Sequence, residues 1–70
     1  MNKGDRVWFV DLTFNENCVE VPFAEYGVVV EDKHNGYCIV HHYFGDFEIS
    51  KDALFKTKEE CEKYIRGENK

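Results

Sequence analysis

The stretch Tyr26-Gly27-Val28-Val29-Val30-Glu31-Asp32-Lys33-His34-Asn35-Gly36-Tyr37-Cys38-Ile39-Val40-His41-His42-Tyr43-Phe44 decides the fold. Two apolar, β-branched runs flank His34-Asn35-Gly36, and glycine accepts the positive φ that a chain reversal requires. The stretch therefore reads as a β-hairpin with strands over 26–32 and 37–44. Two registers are open. A two-residue turn at Asn35-Gly36 pairs Val30 with His41, whereas a three-residue loop with Gly36 left-handed pairs Val30 with Val40. The second gathers Val28, Val30, Cys38, Val40, His42 and Phe44 on one face and leaves His41 beside Val29. It is preferred because it brings more apolar surface together.

On the N-terminal side, residues 5–14 alternate as a first strand, with Val7 and Phe9 on one face and Trp8, Val10 and Leu12 on the other. Asn15-Glu16-Asn17 signals a turn. A short extended piece over 18–22 ends at Pro22, which confines it to an edge or a loop, so 15–25 reads as a long excursion. Beyond the hairpin, Gly45-Asp46 turns the chain into a short strand at Phe47-Glu48-Ile49. Ser50-Lys51-Asp52 reads as a tight turn or one turn of 3₁₀ helix, and Ala53-Leu54-Phe55 as a fifth strand that closes a barrel. A helix follows over about 57–66, opened by a Thr57/Glu60 capping box and stopped by Gly67. Cys61, Tyr64 and Ile65 form its buried stripe. The expected fold is mainly β: a five-stranded small antiparallel barrel with one C-terminal α-helix, a single domain over 1–67, and a frayed tail over 68–70. Val7, Phe9, Val28, Val30, Val40 and Leu54 are its expected core.

Lys3-Gly4-Asp5-Arg6-Val7, Gly27-Val28-Val29-Val30 and Gly45-Asp46 have the spacing of a known group. The chain resembles the SH3-like small barrels, including the KOW and Tudor types, over about residues 3 to 55. The ending from Leu54 to Glu60 is similar to the helical tails of short bacterial and phage proteins. The resemblance implies a recognition module. KOW-type modules are generally basic, unlike this chain. Tudor-type domains need an aromatic cage, and proline-rich ligands need an aromatic groove with acidic residues.

Composition narrows the function classes. Seventy residues make one domain near the lower limit of independent stability, where apolar burial and chain entropy nearly cancel. A substrate pocket of about 300 Å³ or more would consume much of such a core, which argues against an ordinary enzyme. The formal charge is −5, from nine Lys and Arg against fourteen Asp and Glu, with no basic run. Direct nucleic-acid binding, which depends on neutralising phosphates, is therefore not expected. Three cysteines and a Met1-Asn2-Lys3-Gly4 start without an apolar leader point to reduced thiols in the cytoplasm. No apolar run approaches the roughly 20 residues of a membrane span.

Chemistry-bearing patterns are sparse. Cys38 with His41 or His42 offers half of a zinc motif, yet strand alternation sends Cys38 and His41 to opposite faces. A Cys–His nucleophile lacks an orienting partner and an oxyanion site. The pairs Glu31-Asp32, Asp46/Glu48 and Glu59-Glu60 fit strand-end, turn and helix-start roles, and no glycine-rich phosphate loop is present. No catalytic residue, metal or cofactor is expected. Aromatic residues, 16% of the chain, are the better lead. Too many exist for so small a core, and Trp and Tyr make effective interface anchors. Trp8, Tyr26, Tyr37, Tyr43 and Phe47, with the acids Asp46 and Glu48, are the expected partner-binding residues. The expectation is a non-enzymatic module that engages a protein partner through an acidic, aromatic surface. The alternative is an acidic inhibitor or nucleic-acid mimic that occupies a basic site on a nucleic-acid-processing enzyme.

Overall fold

The computed structural model describes residues 1–67. Four strands, β1 (Arg6–Phe14), β2 (Glu20–Asp32), β3 (Tyr37–His42) and β4 (Gly45–Ser50), form one antiparallel sheet in chain order. A 3₁₀ turn (Lys51–Ala53) and the helix α1 (Lys58–Ile65) follow. The mainly β character and the single helix match expectation. The fifth strand does not form: residues 53–55 contribute one bridge, in which Trp8 and Phe55 exchange two N–H···O bonds of 2.8 Å. Two residues later the Thr57 hydroxyl accepts the Glu60 N–H at 3.1 Å and starts α1. The extended chain is too short for a second pair, so the sheet stays open.

Next to the turn the β2–β3 register is the preferred one, with Glu31 facing Ile39, Asp32 facing Cys38 and Gly36 at positive φ, but it slips by one residue farther along. Val29 faces Val40 and Val28 faces His41, while Glu31 faces Ile39, so Val30 is the extra residue of a bulge. The first strand explains this outcome. Val7 lies opposite Gly27, and Val29 donates its N–H to the Asp5 carbonyl at 2.9 Å. Pleat alternation then puts Val29 on the same face as Val7 and Phe9. The bulge lets β2 keep Val29 inward while β3 brings in Val40 and Cys38. The core is therefore Val7, Phe9, Val29, Cys38, Val40 and Leu54, with Met1 and Ile49 partly buried against it. Val28 is half-buried on the opposite face and Val30 is exposed, contrary to the expected core.

The long excursion expected over 15–25 is instead a two-stranded ribbon, with Leu12 opposite Pro22 and Phe14 opposite Glu20. Its tip is held by Asn15, whose Oδ1 accepts the N–H groups of Asn17 (2.9 Å) and Val19 (3.1 Å). Because Val29 directs its N–H to β1, alternation directs position 22 to the other side. There β2 is an edge, because β3 pairs only from Val28 onward. The missing proline donor therefore costs no ladder bond, and the edge reading of Pro22 holds.

The helix lies against β1 and β2 on the Trp8 face, with Lys58 Nζ 5.8 Å from the centre of the Trp8 ring. Cys61 is fully buried there, and burial pushes its thiol above the ordinary value. Tyr64 leaves the expected stripe; it is mostly exposed and sets its ring 5.5 Å from Phe55. Gly67, at φ +76°, follows the helix as expected and donates its N–H to Tyr64. The fraying expected for 68–70 lies outside the described residues. At the other end of the sheet, the Asp32 carboxylate gathers Lys51 Nζ (2.8 Å), the Met1 amine (3.0 Å) and the His34 N–H (2.8 Å). These donors, Lys51 foremost, hold Asp32 well below the usual carboxylate range. No helix among the described residues is long and apolar enough to cross a membrane.

Candidate functional site

The single bridge at Phe55 covers β1 only at Trp8. Past it, the open side of the sheet forms an apolar groove of about 840 Å³. Its floor is the inner face, with Phe9 from β1, His42 from β3, and Phe47 and Ile49 from β4. Val10, Leu12, Phe55 and Tyr64 form one wall, and Phe44 at the β3–β4 turn forms the other. Besides His42 and Tyr64, the polar lining residues are Asp11, Ser50 and Asp52. A deep pocket of this size was expected to consume much of the core, and this groove is open rather than enclosed. It lies where barrel closure fails and shares Phe9 and Ile49 with the core.

The β3–β4 turn explains why Phe44 and Phe47 line the groove. His42 pairs with Gly45, leaving Tyr43 and Phe44 as a two-residue connection, with Gly45 at φ +120°. Turn residues cannot reach the core, so Phe44 remains 69% exposed and Tyr43 86% exposed. Phe47, opposite Val40, points inward yet is still 48% exposed, because no strand covers it. The His42 side chain is 6% exposed between these rings. It stacks on Phe47 at 4.8 Å and meets Phe9 edge-on at 5.2 Å. The Phe44 N–H approaches His42 Nδ1 at 3.4 Å, and a Glu25 carboxylate oxygen lies 3.9 Å from the same nitrogen.

The expected partner-binding residues are split between two faces. Phe47 alone lines the groove. Trp8, Tyr26, Tyr37, Asp46 and Glu48 belong to the opposite face by pairing and alternation. There Trp8 is half-buried beneath Lys58 and packs edge-on against Tyr26 at 5.2 Å. Asp46 is paired with His41, and Glu48 is 3.7 Å from Lys33 Nζ. Tyr26 and Tyr43 both line a second, more polar hollow of about 610 Å³ that shares Phe44 and His42 with the groove. Phe9, Leu12, Phe44, Phe55 and Tyr64 were missed. Tight spacing between His42 and Asp46, which forces Phe44 into a turn, was the one available signal.

Among the described residues no three His, Cys, Asp or Glu side chains are grouped to hold a metal ion. Cys38 is buried in the core, and His41 points to the other face, as alternation requires. Comparison with protein-family models, with curated proteins and with solved structures finds no match to this chain.

Proposed function

We propose that this protein is a non-catalytic binding module that engages a protein partner through the aromatic groove. One observation carries the reading. An open groove lined by Phe9, Phe44, Phe47, Phe55 and Tyr64 has Asp11 and Asp52 as its charged lining residues, both of them acids. Exposed apolar surface of this kind on a small domain marks an interaction site. The partner surface it favours is apolar with basic groups at its margin, in keeping with a net charge of −5.

The module is of the SH3-like barrel type. Supporting this is the course of the chain after β4, where one 3₁₀ turn leads Phe55 back onto the free edge of β1. Three unpaired thiols suit a reducing, cytoplasmic setting. Nucleic-acid mimicry is less favoured because it calls for a continuous stripe of unpaired carboxylates. Here Asp32, Asp46 and Glu48 are each engaged by a cationic or imidazole partner.

A photo-crosslinking residue placed in turn at Phe44, Phe47 and Tyr37, in the native host, tests the reading. Capture of one protein from positions 44 and 47 but not from 37 supports it. Capture from 37 alone moves recognition to the opposite face and overturns it.

A further inference from the structure

We infer that the groove takes an extended segment of the partner that adds to the free edge of β1 as its missing fifth strand. This rests on the groove being the binding surface and specifies how it is used. Trp8 directs both its N–H and its C=O to Phe55, away from β2. Alternation puts the corresponding groups of Val10 and Leu12 on the same edge, past the point where the chain departs for α1. Val10 has no main-chain partner on that edge among the described residues, and the Leu12 N–H is held by its neighbour Asp11 at 2.8 Å. From Val10 to Phe14 this edge offers about 14 Å of strand.

A strand laid there sends alternate side chains toward Phe9, Phe47 and Ile49, so apolar residues are required at every second position. Asp11 and Asp52 supply the charge preference, and the segment carries Lys or Arg flanking its apolar positions. When an incoming carbonyl takes the Leu12 N–H, the Asp11 carboxylate is released to meet that cation. A second copy of this chain is disfavoured as the occupant, because each copy has a net charge of −5 and would bring its own Asp11 to the seam.

The probe is the synthetic peptide Lys-Thr-Phe-Thr-Val-Thr-Lys, capped at both ends, titrated into the full-length protein with amide NMR and hydrogen exchange as readouts. Two versions are compared with it, one N-methylated at Phe and Val and the other at the three Thr residues. These block opposite edges of the peptide strand. The expected result is shifts at Val10, Leu12, Phe44 and Phe47, with Val10 exchange slowed about tenfold. One methylated version should lose about tenfold or more in affinity, and the other should bind like the parent. A peptide with Glu in place of Lys should bind more weakly than both.

If Phe44 and Phe47 shift but Val10 exchange is unchanged, or both methylated versions bind like the parent, strand addition is wrong while the groove reading stands. Shifts confined to Tyr37, His41 and Glu48 overturn the groove reading itself. No binding at about 1 mM peptide, or equal binding of the Glu version, overturns the assigned partner chemistry. A Val10 amide protected without peptide in a dimer of this chain makes the second copy the occupant and overturns the proposal.

Discussion

Gly27 lies directly beneath Val40, so closely that a Cβ at position 27 would collide with the Val40 Cγ1 methyl. The same atom would meet the His41 carbonyl at 3.2 Å and the Phe9 ring at 3.3 Å. Val40 is fully buried, so it cannot swing away, and Gly27 is required here for space rather than for backbone conformation. Gly27→Ala is expected to cost about 1–3 kcal/mol, measured by urea unfolding. An unchanged midpoint would contradict the close approach of β2 and β3.

The bulge at Val30 makes neighbouring valines unequal. Val29→Ala removes buried methyl groups and should cost on the order of 2 kcal/mol, whereas Val30→Ala should change stability by less than about 0.5 kcal/mol. Equal costs, or a larger cost at Val30, would restore the register with Val30 inward.

Asp32 has a depressed folded value, so its contribution is present above the unfolded value of about 4 and is lost as pH falls toward the folded one. Its partner Lys51 is raised above 10.5 by the same bond, so that contribution is present below 10.5 and is lost at more alkaline pH. Stability should therefore fall on acidification below about pH 4. Asp32→Asn should lower the thermal midpoint at pH 7 and flatten that acid limb. A mutant whose acid limb is as steep as that of the parent would remove Asp32 as its source.

The three thiols should separate by reactivity. Cys18 is exposed at the ribbon tip, while Cys38 and Cys61 are fully buried. Native protein treated with an alkylating agent should gain one label, at position 18, and denatured protein should gain three, as read by mass spectrometry. Rapid native labelling at Cys61 would contradict the packing of α1 against the sheet.

Much of the fold was legible because local chemistry agreed with the global arrangement. Gly36 at φ +92° and Gly45 mark real reversals, and Thr57 caps the helix it was expected to start. The β2–β3 register was legible only next to the turn; the slip at Val30 was not, because Val28, Val29 and Val30 are identical in chemistry and alternation is silent among them. What decides between them is the pairing of Val29 with Asp5, a contact between residues far apart in the chain. Pro22 concealed the continuity of β2, since its position on an unpaired edge depends on where β3 ends. The groove was hidden for a related reason. Its walls come from β1, the β3–β4 turn and α1, and only an unclosed sheet leaves them facing one another. Phe47 was found because it exceeds what the core can hold, whereas Trp8, chosen on the same ground, is half-covered by Lys58.

The most direct measurement is the affinity of the crosslinked partner for the parent protein and for Phe44→Ala and Phe47→Ala, with thermal unfolding followed in parallel. Phe44 is 69% and Phe47 48% exposed, so both variants should stay folded, and each should weaken binding by about tenfold or more. Parent-like affinity in both folded variants would contradict recognition through this groove.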